Sequence, residues 1–234
     1  MSVYVCSDIH GMYNSYMKLI NILQLGAEDI LYVLGDVIDR GSDGLRIIDD
    51  IIHRDNVKLF LGNHELFLLD TFGRGKFNED VAWLWCLPNN GGYPTLKEFQ
   101  SYTTERQIEI INFLNSCFVI KIIEVNGKKF HLSHSSTLSE LKTNELRVID
   151  MEYEDCHHVV WNHVLRHGDT MDFYDNYKKD YTYISGHVRV QKLGKGKCAK
   201  LRNIIDIDCG CAYGLENSSL CCVRLDDMKE YYIT

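Results

Sequence analysis

Three short turns concentrate the residues that could bind metals or move protons. Asp8 and His10 follow the first apolar run, Asp36, Asp39 and Arg40 follow the second, and Asn63, His64 and Glu65 follow the third, each group inside a glycine-containing turn. Two carboxylates (Asp8, Asp36), an imidazole (His10) and an amide oxygen (Asn63) brought to one spot make a hard oxygen and nitrogen ligand set, which suits Mn, Fe or Zn. A carboxylate has two oxygens and can bridge two cations about 3.5–4 Å apart, the spacing used in phosphoryl hydrolysis. Asp36, on the middle turn, is the natural bridge. Taken singly these residues have ordinary structural readings, Asp8 as a turn former or helix cap and Arg40 as an ion-pair partner. The chemical reading rests on the three turns together.

The surrounding chain must carry those turns to one place. Val3 to Cys6, Ile30 to Leu34 and Val57 to Leu61 are apolar runs of strand length, and in open α/β sheets ligands bind outside the carboxyl ends of the strands. Met12, Tyr16, Leu19, Ile20 and Leu23 recur at three- and four-residue steps, as do Leu45, Ile47, Ile48, Ile51 and Ile52, so both connections should be amphipathic helices. That is the pattern of β-α-β units building a mostly parallel sheet. From Leu66 to about Cys117 the periodicity is helical, broken by Pro88-Asn89-Asn90-Gly91-Gly92, and reads as a helical insertion with Trp83 and Trp85 in its core. Beyond it, Phe118 to Val125 and Lys128 to Ser133 flank Asn126-Gly127, a strong hairpin signal. Further strands are expected at Tyr181 to Ser185, Leu201 to Asp208 and Leu220 to Leu225. No repeat or linker divides the chain, so a single domain over 1–234 is expected.

The chain carries 25 Lys+Arg against 33 Asp+Glu, a net charge of −8, without long blocks of one sign. A generic binder of nucleic acid or of an anionic membrane would be basic, so neither partner is expected. With 45% apolar and 25% charged residues the composition is that of a globular domain and excludes disorder, collagen and coiled coil. No apolar run reaches membrane-spanning length, and the amino terminus enters a short apolar segment without the basic flank of a signal peptide. The nine cysteines, odd in number and spread through apolar segments, read as reduced thiols of a cytoplasmic protein. Cys209, Cys211, Cys221 and Cys222 could suggest zinc, but their spacing is not that of a common finger, and buried thiols are the better reading. His157, His158, His163 and His167 crowd one segment and read as a solvated helix face.

Asp8-Ile9-His10-Gly11, Gly35-Asp36-Val37-Ile38-Asp39-Arg40-Gly41 and Gly62-Asn63-His64-Glu65 together resemble the signature of metal-dependent serine/threonine protein phosphatases of the calcineurin-like metallophosphoesterase superfamily, most of all the short bacterial and bacteriophage members. His134, closing Phe130-His131-Leu132-Ser133-His134, is similar to that family's fourth metal-binding block, and Gly186-His187 to its fifth. Ile207-Asp208-Cys209-Gly210 with the closing strand resembles its carboxy-terminal end. The resemblance implies an α/β fold, a β-sandwich flanked by helices in αββα order. It implies two divalent metal ions, Mn by preference with Fe or Zn as alternatives. One would be held by Asp8, His10 and Asp36, the other by Asp36, Asn63, His134 and His187. A hydroxide bridging the two would attack phosphorus in line, without a covalent phosphoenzyme. His64 would protonate the leaving oxygen, Asp39 would orient and charge-stabilise that imidazole, and Arg40 would grip phosphate oxygens. There are two departures from the family's pattern. His134-Ser135-Ser136 stands in place of His-Ala-Gly, and Trp161-Asn162-His163 stands where short members carry an arginine, leaving Arg166, one helical turn on, as the candidate second phosphate arginine.

The expected activity is dephosphorylation of phosphoserine or phosphothreonine in proteins and peptides, with phosphotyrosine as a further substrate. The alternative keeps the chemistry and changes the substrate, to a small phosphoester or to diadenosine tetraphosphate cleaved symmetrically, as in a sister family. That sister commonly lacks the aspartate found here as Asp39 and has Asp where this chain has Glu65, so both residues favour the protein phosphatase. An inactive binding module would have lost a metal ligand, and none of the six is missing.

Overall fold

The computed structural model describes residues 1–73, 75–163 and 180–234. The chain opens with the expected alternation, β1 (Val3–Cys6), α1 (Tyr13–Leu23), β2 (Ile30–Val33), α2 (Gly44–Ile52) and β3 (Val57–Leu59). The three strands pair in parallel, Val3 opposite Ile30 and Leu31 opposite Val57. Two late strands, β10 (Leu220–Arg224) and β11 (Lys229–Ile233), join antiparallel beside β1 to give a five-stranded sheet in the order β11-β10-β1-β2-β3. The second sheet has six strands, β4 (Phe118–Val125), β5 (Lys128–Ser133), β6 (Glu145–Arg147), β7 (Tyr181–Ser185), β8 (Ala199–Leu201) and β9 (Ile204–Asp206), in the order β6-β4-β5-β7-β9-β8. The fold is the mixed α/β sandwich expected of a metallophosphoesterase.

Strand pleating divides the apolar residues between two cores. Val3, Val5, Tyr32, Leu34, Cys221 and Val223 face the second sheet and meet Phe130, Leu132 and Ile184. Tyr4, Cys6, Leu31, Val33, Leu220 and Cys222 point the other way, onto Tyr16, Leu19 and Ile20 of α1 and Ile47, Ile48 and Ile51 of α2. Cys221 and Cys222 therefore occupy opposite faces of one strand. They cannot close around a single zinc ion, and all nine cysteines are unpaired thiols.

The insertion is four helices, α3 (Asn63–Phe72), α4 (Glu79–Trp85), α5 (Tyr93–Ser101) and α6 (Thr104–Ser116). It starts at Asn63 rather than Leu66, so Asn63 and His64 belong to the first turn of a helix and not to the preceding loop. Trp85 is fully buried, but Trp83 is 69% exposed, contrary to expectation. Two residues apart on a helix are about 200° apart around its axis, so the pair cannot share a buried face. The single strand expected over Leu201 to Asp208 is a hairpin instead. It reverses at Arg202-Asn203, with Arg202 at φ 55° and Ala199 opposite Asp206. The short strands β6 and β11 carry no alternation strong enough to mark them. Among the described residues no helix is long and apolar enough to cross a membrane.

Candidate active site

The three turns leave the carboxyl ends of β1, β2 and β3 side by side, and the ends of β5 and β7 bring His134 and His187 beside them. The backbone there is held in an unusual state. Asp8 (φ 56°), His10 (49°), Asp36 (54°), Asp39 (71°), Arg40 (63°) and His187 (75°) are all in the left-handed region that side chains other than glycine rarely adopt. Such conformations cost of order 1–3 kcal/mol each and persist only where the surroundings impose them. Cross-turn hydrogen bonds do so here, with the N–H groups of Asp8, His10 and Gly11 donating to the carbonyls of Gly35, Asp36 and Val37. Close approach also requires glycine at two positions. A Cβ on Gly62 would overlap Asp36 Oδ1, and one on Gly186 would overlap Asp8 Oδ2.

Asp36 presents its two oxygens to two different groups. Its Oδ2 is 3.6 Å from His10 Nε2, which lies 3.8 Å from Asp8 Oδ1. Its Oδ1 is 3.4 Å from His134 Nε2, and Asn63 Oδ1 lies 3.1 Å from His134 Nε2 and 2.9 Å from His187 Nδ1. The structure thus brings together all six residues that the family resemblance assigns to metal. The donor set fits a pair of divalent cations. Asp8 Oδ1 is buried without a hydrogen-bond partner, and burial, then the neighbouring Asp36 charge, push the Asp8 carboxyl up to about 6. Such a site repels anions and welcomes positive charge. Burial, then Arg40 and His64, hold His10 well below the usual histidine range, keeping a neutral lone pair available. The other ring nitrogens of His10 and His134 sit 3.0 Å and 2.7 Å from the carbonyls of Ile38 and Leu34, the backing that orients an imidazole ligand. His64 Nε2 also comes within 3.8 Å of Asp36 Oδ2, close enough for a third histidine ligand. Its Nδ1, however, donates to Asp39 Oδ2 at 2.6 Å, so a carboxylate fixes the ring. Burial opposes charge on His64, but Asp36 and then Asp39 outweigh it and raise its pKa.

The insertion's place becomes visible at Asp39. Trp85 Nε1 donates to Asp39 Oδ2 at 2.6 Å, the Asp39 N–H donates to Thr95 Oγ1 at 3.1 Å, and the Arg40 N–H donates to the Gly91 carbonyl at 3.0 Å. No motif marks Trp85 or Thr95; only packing of the insertion against the second turn shows them. Glu65 is fully buried and accepts from the N–H groups of Asp36, Val37, Ile38 and Gly62 at 2.8–3.2 Å. It builds the turn and does not face the site.

Arg40 lies against both His10 and His64, at the floor of a cleft of about 570 Å³ that is also lined by Asn63, Trp161, His187 and Tyr213. His163 is fully buried with Nε2 3.2 Å from Asp206 Oδ2, so it belongs neither to a solvated face nor to the cleft wall. His157 and His158 are exposed as expected, while His167 and Arg166 lie outside the described residues.

The model of the calcineurin-like phosphoesterase family matches residues 1–191. This chain belongs to the calcineurin-like phosphoesterase family. Membership implies divalent metal ions. Among curated proteins, a symmetrical bis(5'-nucleosyl)-tetraphosphatase of Buchnera aphidicola subsp. Schizaphis graminum is 28% identical over 158 residues, 67% of this chain and 52% of that protein. Another of the same name from Erwinia tasmaniensis is 40% identical over 87 residues, 35% of this chain and 32% of that one. The chain spans about half the length of the first of these relatives. Among solved structures, a candidate diadenosine tetraphosphatase superposes with TM-score 0.64 at 15% identity, over 99% of this chain and 92% of that one. A cold-active protein-tyrosine phosphatase of a psychrophilic Shewanella does so with TM-score 0.58 at 18% identity, over 100% and 80%. At these identities the superpositions show the fold alone.

The curated relatives bear the name of the alternative activity and not that of a serine/threonine protein phosphatase. Asp39 and Glu65, the two residues that favoured the protein phosphatase, are both fully buried behind the cleft, with Asp39 Oδ2 facing His64 and Trp85 and the Glu65 carboxylate facing backbone N–H groups. Neither can touch a substrate, so neither discriminates between substrates.

Proposed function

We propose that this phosphoesterase hydrolyses dinucleoside tetraphosphates symmetrically, giving two nucleoside diphosphates. The observation that carries the reading is the shared name of the curated relatives that match two thirds of the chain. In the reaction, water oxygen bonds to one central phosphorus, the bridging P–O bond breaks, and the departing nucleoside diphosphate takes the electron pair and a proton. Asp8, His10 and Asp36 would hold one cation, and Asp36, Asn63, His134 and His187 the other. Bound there, two divalent ions, Mn in our reading, supply Lewis acidity and neutralise phosphate charge. Arg40 directs its guanidinium fork at phosphoryl oxygens over the cluster. His64 delivers a proton from Nε2 to the leaving oxygen, and Asp39 fixes the ring through Nδ1 and stabilises its charged form. Trp85 and Thr95 hold that aspartate's loop in place. Nine unpaired thiols fit a reducing, cytoplasmic setting.

The test is incubation of metal-loaded protein with diadenosine tetraphosphate and separation of the nucleotide products. ADP as the sole product supports the reading, whereas AMP with ATP overturns it. A second reading, a protein phosphatase, has the three motif blocks in its favour. Rapid release of phosphate from phosphoserine peptides with negligible turnover of the dinucleotide would establish it instead.

A further inference from the structure

The cleft carries more positive charge than one phosphoryl group requires. Arg189 lies two residues beyond His187, and its guanidinium carbon is 4.2 Å from the centroid of the Tyr213 ring. The same ring lies 5.0 Å from the Arg40 guanidinium, so one aromatic ring holds two arginines at fixed positions along the cleft. Lys192, on the short 3-10 turn Val190–Leu193, lines the same cleft. Among the described residues none of the three cations pairs with a carboxylate, and Arg189 Nε is buried without a hydrogen-bond partner. Asp36 lies at the Arg40 end of the cleft, and Arg189 and Lys192, without a carboxylate partner among the described residues, would be complemented by a bound anion. Arg40 serves the phosphoryl group at the metal cluster, and no residue of that cluster needs Arg189 or Lys192.

We propose that Arg189 and Lys192 form a second anion subsite, oriented by Tyr213, that holds the phosphates next in line to the one being hydrolysed. The ligand is a linear polyphosphate chain. A guanidinium grips two oxygens of one phosphate in a planar fork, and the lysine follows as a point charge, so the two select for chain length and not for what the phosphate is attached to. This deepens the reading of the site as a tetraphosphate hydrolase and rests on it. A monoester has no second phosphate to place there.

The experiment compares Arg189→Gln with the parent enzyme, both loaded with Mn, on diadenosine tetraphosphate and on nitrophenyl phosphate. Loss of a charge-assisted phosphate contact should lower kcat/KM on the tetraphosphate about tenfold more than on the monoester, mainly through KM. Arg189→Lys should recover part of that difference, and Lys192→Gln should show a smaller one. A methylene-bridged, hydrolysis-resistant tetraphosphate should bind Arg189→Gln about tenfold more weakly by calorimetry. Equal losses on both substrates, or none on either, overturn the subsite. If the parent enzyme does not cleave the dinucleotide at all, the proposed function fails and the subsite is read separately. At fixed free Mn, inorganic tripolyphosphate should inhibit nitrophenyl phosphate hydrolysis more tightly than orthophosphate does, and Arg189→Gln should lose that advantage. No advantage in the parent, or an unchanged one in the variant, overturns the subsite on its own.

Discussion

Trp85 donates its indole N–H to the same oxygen of Asp39 that receives His64 Nδ1, both at 2.6 Å. The helical insertion thereby reaches the proposed proton-transfer pair through one buried side chain. Replacing Trp85 by Phe keeps most of the packing and leaves Asp39 short of a donor. We expect kcat to fall several-fold and stability to drop by about 1–3 kcal/mol, the cost of a lost hydrogen bond to a buried charged acceptor. Steady-state kinetics beside urea unfolding check this. Unaltered kcat and stability together would remove the insertion from the account of the site.

If His64 donates the proton, the defect of His64→Asn must follow the basicity of the leaving group. On a phosphoserine peptide, whose alkoxide leaves poorly, the loss should be on the order of 100- to 10,000-fold. Nitrophenyl phosphate and the dinucleotide both release stable anions, so their losses should be smaller and alike. Equal losses across all three substrates would assign His64 to phosphate binding or metal ligation instead.

Asp36 faces the two ligand groups with separate oxygens, so its charge is shared by both proposed cations. Asp36→Asn can keep the backbone contact from the His64 N–H while removing that charge. Metal content after dialysis, measured by elemental analysis, should fall below two ions per chain, and turnover should fall on the order of 100-fold or more. Chelation should abolish turnover in the parent protein, and added Mn should restore it. A variant with full metal content and an unchanged rate would end the bridging role.

His131 offers a prediction about stability. It is fully buried beside Tyr183, its Nε2 accepts from the Thr137 hydroxyl at 2.9 Å, and burial lowers its pKa from 6.5 to about 3. The unfolded chain takes up a proton at this residue as pH falls through 6.5, while the folded chain stays neutral down to about 3. Its contribution is therefore complete above pH 6.5 and is lost progressively below it, by ~2–3 kcal/mol at pH 4.5. His131→Phe should remove that increment, so the stability difference between variant and parent should shift by this amount between pH 7 and pH 4.5. Urea midpoints at the two values test it, and a difference independent of pH would contradict the burial argument.

The sequence by itself determined the three-strand start and the turns that follow it. Their apolar runs, glycines and Asp, Asn and His residues are local signals, read within a few positions of each other. It also marked His134 and His187, because strand ends and family order located them. It could not say which substrate is taken. Asp39 and Glu65 differ visibly from the sister pattern, yet only the fold shows both buried behind the cleft, one holding His64 and the other four backbone N–H groups. Trp85 and Trp83 look equivalent in a list of residues, and helical rotation with tertiary packing sends one to Asp39 and the other to solvent. Arg189 and Lys192 carry no motif, and Tyr213 comes from a separate segment of the chain. Their meeting on one wall of the cleft depends on how the segments after β7 and β9 pack together, a long-range outcome with no local signature.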